Sequence, residues 1–181
     1  MESHARALLR APDSARSSHL ARREPVLPDS ASTAYSGRMY DFEETHETTA
    51  TPESVWAIYT DVAGWKRWHG AIESVQFAGP FASGSEGHAT VQIGLSQDIP
   101  FRIENVEPMK RFDVVWTVGP LLHTRMTHSI ERTATGTKIK HAYHTGGIMA
   151  PFNFLQAAAA HDRAQPAMAR IAQLAETHAV R

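Results

Sequence analysis

Two histidines and a tyrosine on adjacent strand-like stretches are the groups of this chain best suited to chemistry. Leu121–Glu131 and Thr137–Thr145 both read as strands, and the four-residue turn Thr133–Gly136 between them fixes their register. Glu131 then faces Lys138, and it follows that Ile130 faces Ile139, His128 faces His141 and Met126 faces Tyr143. Alternate side chains share one face of a strand, so these last six residues form a single inward ladder. Arg125, Thr127, Glu131, Lys138 and Lys140 form a solvated outer set. Imidazole titrates near neutrality and can donate or accept a proton, so His128 and His141 are candidates for a general acid/base pair, or for holding a carbonyl or hydroxyl group, with the Tyr143 phenol beside them. The competing reading is that they satisfy one another, Tyr143 or a buried water in a partly polar core. The ladder gives the pair no carboxylate to fix a tautomer, only Ile130, Ile139, Met126 and Tyr143. Mutual satisfaction is therefore preferred, and no residue is assigned a catalytic role.

Other chemistries find less support. The chain has 11 histidines, and His141/His144 and His123/His128 invite a metal reading. Separations of three and five residues on a strand put the two rings on opposite faces, so no metal is expected. With no cysteine there are no disulfides, thiolate ligands or cysteine nucleophiles. Ser54, Ser74 and Ser129 lie in no nucleophile-elbow context, and no glycine pattern opens a helix as a phosphate loop requires, so no cofactor is expected. Glu43, Glu44, Glu47 and Glu53 read as a solvated face.

The elements that would position the ladder begin with Thr51–His69. Thr51 is an N-cap, Pro52 suits the first helical position and Glu53 places negative charge at the positive end of the helix dipole. Val55, Ile58, Tyr59 and Val62 share one face, Gly64 offers a stop, and a second short turn carries Trp65 and Trp68. Trp56, Trp65 and Trp68 are expected to anchor packing, with Trp68 at the cavity rim. Strands are expected at Tyr40–Thr45, Ile72–Phe77, Gly87–Gly94, Ile99–Val106 and Phe112–Val118, in addition to the two carrying the ladder. Their separators are short turns such as Gly79-Pro80, Glu107-Pro108 and Gly119-Pro120, too short for helical crossovers, so the sheet is antiparallel. By parity Ala89, Val91 and Ile93 point inward from one strand and Phe112, Val114 and Trp116 from another. A long helix opens at Pro151, with Phe154, Met168 and Ile171 facing the sheet and a kink or break just before Pro166. The expected cavity lining is Val91, Ile93, Phe112, Val114, Trp116, Met126, His128, Ile139, His141, Tyr143, Phe154, Met168 and Ile171, which is apolar with a few polar groups set into it.

The Ala-Thr-Pro-Glu-Ser-Val-Trp start, the Asp-Val-x-x-Trp-x-x-Trp continuation, the Glu107-Pro108 junction, the Gly136-Thr137-Lys138-Ile139 strand entry and the Pro166 interruption together resemble the polyketide cyclase/dehydrase and lipid-transport group of the SRPBCC superfamily. That superfamily is also called START-like or birch-pollen-allergen-like. The resemblance covers about residues 39 to 178. It implies an α+β helix-grip fold, a seven-stranded antiparallel sheet curled around a long C-terminal helix with two short helices between strands 1 and 2. It also implies a deep cavity for lipids, sterols, polyketides or other apolar molecules, used by some members for binding and transport and by a minority for catalysis.

Composition sets the outer bounds. The 181 residues fit one domain plus a tail, and 42% hydrophobic content suffices for a core or a lined cavity. A net charge of -1 gives no general attraction to nucleic acid. No apolar run approaches the roughly 20 residues needed to span a bilayer, so a soluble, cytoplasmic protein is expected. Residues 1–38 are rich in Ala, Ser, Arg and Pro and read as a flexible tail, or as an extension preceding a true start at Met39. The expected function is binding, transport or sequestration of an apolar or amphipathic small molecule such as a lipid or polyketide. The alternative is a cyclase/aromatase- or dehydratase-type enzyme moving protons through His128, His141 and Tyr143.

Overall fold

The computed structural model describes residues 41–119, 121–148 and 154–178, with the side chains of Ile93 and of residues 154–157 excepted. The first strand, β1 (Asp41–Thr48), runs into α1 (Pro52–Thr60), a 3-10 turn α2 (Val62–Arg67), the meander β2 (Ile72–Phe77), β3 (Glu86–Ile93), β4 (Leu95–Glu107), β5 (Arg111–Val118), β6 (Leu122–Arg132), β7 (Thr137–Gly146), and finally helix α3 (Phe154–His178). The seven strands form one sheet in the order β1-β7-β6-β5-β4-β3-β2, with antiparallel pairing throughout. Helix α3 packs on β1, β7 and α1. This is the helix-grip arrangement. Tyr40, Pro151 and residues 1–38 lie outside the described residues.

Local chemistry explains the α1–α2 corner. The Thr51 hydroxyl accepts from the Ser54 amide at 3.2 Å, so the cap works as its residue type suggests. The stop, however, falls at Asp61 and not at Gly64: the Asp61 carboxylate accepts from the Gly64 amide at 3.2 Å and also pairs with Arg67. Gly64 sits inside the turn because a Cβ there would collide with that carboxylate. Trp65 is buried, and its indole N–H donates to the Tyr59 carbonyl at 2.8 Å.

The ladder register is the one the turn length requires: Ile130↔Ile139, His128↔His141 and Met126↔Tyr143. Gly136 makes that turn possible, since with φ +153° any Cβ would run into the Thr48 carbonyl. Two elements differ from expectation. Residues Leu95–Asp98 belong to β4, pairing back to β3 across Gly94 at φ +74°; they are exposed on both faces, so no apolar alternation marks them. Helix α3 continues through Pro166 without a break in its assigned span. Pro166 is exposed, so the helix loses a bond on its wet side, while Ala164, Ala167, Met168, Ile171, Ala172 and Ala175 bury the other face.

The outer face also holds a buried carboxylate. Asp113 is 2% exposed and accepts from Arg125 and Asn105, both at 2.7 Å, and from Thr127 at 2.8 Å; Arg125 continues to Glu104 at 2.8 Å. Arg125 and Thr127 are therefore half-buried parts of an ion-pair network rather than a freely solvated set.

Candidate functional site

Tyr59 on α1 reaches down to the sheet, and its hydroxyl lies 2.8 Å from Nε2 of His141. Burial pushes the phenol pKa well up, so it stays protonated. Donation from the phenol to Nε2, with the imidazole proton on Nδ1, leaves fewer buried groups unpaired than the reverse assignment. His128 stacks on Phe112 with ring centroids 4.5 Å apart, and its ring meets that of His141 edge to face, also at 4.5 Å. The two histidines thus share no hydrogen bond with each other or with Tyr143. Only Nε2 of His141 is satisfied, by Tyr59. Both His128 nitrogens, Nδ1 of His141, Nδ1 of His69 and Nε1 of Trp68 are buried without a protein partner.

Electrostatics keep this cluster neutral. Burial, reinforced by the neighbouring His69, lowers the His128 pKa to about 3. His141 is lowered well below the ordinary histidine value by burial and then by His128 and His69. Glu44 is the β1 residue paired in register with His141, but its carboxylate turns to His161 at 3.1 Å. No carboxylate therefore counters the desolvation, and these imidazoles resist protonation across the neutral range.

A cavity of about 110 Å³ lies next to this cluster, between the sheet and α3. Of the thirteen residues expected to line it, Val91, Trp116, Met126 and Tyr143 do so. Phe112, Val114, His128, Ile139, His141, Met168 and Ile171 are buried but pack away from the lining. The side chains of Ile93 and Phe154 fall outside the described residues. Tyr143 stacks on Phe42 at 4.3 Å, and the Trp116 indole N–H points at the Met126 sulfur at 3.1 Å, so the wall around Met126 is ordered by aromatic contacts.

Sequence reasoning missed the rest of the lining: the His69–Ala71 connection after α2, Ile99, Val118 and Thr124 on the sheet, and Ala160, Arg163 and Ala167 on α3. Strand parity had signalled Ile99, Val118 and Thr124 in principle, because Val118 and Thr124 continue the inward faces of β5 and β6. Nothing in the local pattern singled out His69 or Arg163. His69, not Trp68, lines the cavity. Its pKa falls to about 4, chiefly from burial, with the nearby Arg163 charge acting in the same direction. Leu95 at the start of β4, and Leu121 and Ile148 on connections, exposed by 82%, 44% and 72%, sit at the same end of the sheet. Among the described residues no cluster of three or more metal-ligating side chains occurs, and no helix is long and apolar enough to cross a membrane.

Sheet, gripping helix and the apolar cavity between them define a helix-grip protein. The chain belongs to the polyketide cyclase/dehydrase and lipid transport family, whose model matches residues 39–176. Similar solved structures include the Zhui aromatase/cyclase from Streptomyces sp. R1128, at 15% identity and a TM-score of 0.67, covering 79% of this chain and 96% of that one. Ara h 8.0201 is similar at 17% identity and a TM-score of 0.63, covering 77% and 99%. Protein MLL2253 from Mesorhizobium loti is similar at 18% identity and a TM-score of 0.62, covering 76% and 97%. At these identities the likeness is one of fold. No curated protein matches the chain.

Proposed function

We propose that the protein binds an apolar or amphipathic small molecule, as carrier or sink and not as catalyst, between its sheet and helix α3. The observation that carries this reading is the apolar cavity walled by Val91, Ile99, Trp116 and Met126, with His128 and His141, the pair on the ladder, packed outside its lining. A group that performs acid/base catalysis must come within hydrogen-bond reach of the reacting atom, directly or through one water. Size sharpens the proposal. About 110 Å³ is less than the 300–1,000 Å³ common for drug-sized ligands and comparable to an apolar cavity of about 150 Å³ that takes up benzene. A single ring or a short acyl segment suits it; a folded polyketide or a sterol requires outward movement of α3 or the His69–Ala71 connection.

Native mass spectrometry of the purified full chain, followed by organic extraction, should reveal a retained small hydrophobe, and added ring compounds should protect the fold thermally. Turnover of a polyketide-type substrate that vanishes in both His128→Leu and His141→Leu would overturn the non-catalytic reading. It would favour instead a cyclase or dehydratase using His128, His141 and Tyr143.

A further inference from the structure

The cavity lining carries a cation whose charge no described carboxylate matches. Arg163 lines the opening from α3 and is solvent-exposed. Among the described residues it forms no ion pair, whereas Arg67, Arg102, Arg111, Arg125, Arg132 and Lys140 each meet a carboxylate within 4.0 Å. Helical spacing explains the isolation. The residues three and four positions away on α3 are Ala159, Ala160, Pro166 and Ala167, none of which can pair with it. Asp162, next in sequence, points to His161.

A second unmet polar group lies alongside. His69 lines the same opening and is half-buried, and its Nδ1 is buried with no protein partner. The Arg163 charge is close enough to disfavour a proton on this imidazole, which places the two groups in one neighbourhood. An unpartnered buried imidazole nitrogen beside an unpaired guanidinium, next to walls of Val91, Ile99, Trp116 and Met126, is an arrangement that an amphipathic acid would complete when that nitrogen carries the ring proton.

Resting on the cavity-binding reading above, we infer that the occupant is an apolar monocarboxylate. Its hydrocarbon part lies between α3 and the sheet, and its carboxylate sits at the mouth against Arg163 and His69. Charge count and shape select this class. One unpaired cation and one neutral imidazole balance a single negative charge, whereas a phosphate monoester would bring nearly two. The planar fork of a guanidinium matches a carboxylate in two parallel hydrogen bonds. An uncharged hydrocarbon would fill the cavity and leave both rim groups unmet.

The test compares phenylacetate with phenylacetamide, which share size and shape and differ in charge, by titration of the full chain at low salt with the Trp116 indole signal as readout. Phenylacetate should bind more tightly, by roughly two- to fivefold for a partly exposed ion pair. The preference should shrink as salt is added, disappear in Arg163→Gln and invert in Arg163→Glu. Both variants change an exposed position, and an unchanged thermal midpoint would show that they fold. Equal affinity for acid and amide in the unmodified protein, or a preference that survives Arg163→Glu, would overturn the inference while leaving the cavity reading intact. Failure of both compounds to bind would overturn the two together.

Discussion

At the scale of single residues, the histidine cluster is held neutral by desolvation, and this has a sign that can be checked. His128, lowered to about 3, and His141, lowered well below its ordinary value, bind fewer protons folded than unfolded at mildly acid pH. Their contribution to stability is fully present above the unfolded histidine pKa near 6.5 and is lost as pH falls below it. One unit below that value each buried imidazole costs roughly 1.4 kcal/mol. The thermal midpoint should therefore drop steadily from pH 7 to pH 5, before the carboxylates titrate, and His128→Leu should make that slope visibly shallower. A midpoint flat over this range, or one that falls equally in the variant, would contradict the assignment. At neutral pH the same variant should cost little, because His128 makes no hydrogen bond to lose and sheds two unpaired nitrogens. His141 differs. Replacing it strands the Tyr59 hydroxyl in the core.

At the scale of elements, α3 shows how position decides what a residue does. Proline in a helix removes a hydrogen bond and crowds the preceding turn, yet α3 spans Phe154–His178 with Pro166 inside it. The exposed side tolerates the defect because water can take up the freed carbonyl, and the buried stripe through Met168, Ile171 and Ala175 is undisturbed. The middle and the C-terminal end of the helix are tied to β1, Gln165 to Glu44 and Glu176 to Thr48, the latter at 2.7 Å. Ile171 is fully buried and Arg170 exposed, so Ile171→Ala should destabilise by roughly 2–5 kcal/mol in denaturant unfolding while Arg170→Ala stays within about 0.5 kcal/mol. Equal losses from the two would mean that the helix faces the sheet differently.

At the scale of the whole molecule, one sheet and three helical elements surround the core, and the family match begins at residue 39. Residues 1–38 lack the apolar content to bury surface of their own. Deleting them should leave the thermal midpoint within a degree or two of the full chain, measured calorimetrically. A fall of around ten degrees would show that they pack.

The sequence by itself determined seven strands apart from the Leu95–Asp98 start of β4, their antiparallel pairing and the inward set His128, His141, Met126 and Tyr143, because a period of two and a four-residue turn leave one register that buries apolar side chains. It also determined the Thr51 cap and the apolar stripe of α3, both written in local spacing. It did not determine which inward residues touch one another across the core. Tyr59 belonged to a helix face and His141 to a strand, 82 residues apart, and only the descent of α1 onto the sheet joined them. Asp113 likewise occupied an ordinary outward position until Arg125, Thr127 and Asn105 closed over it. The cavity was displaced from the centre of the ladder toward His69 and Arg163 for the same reason: parity says which face a side chain takes, whereas empty space is whatever the helices leave unfilled when they settle on that face.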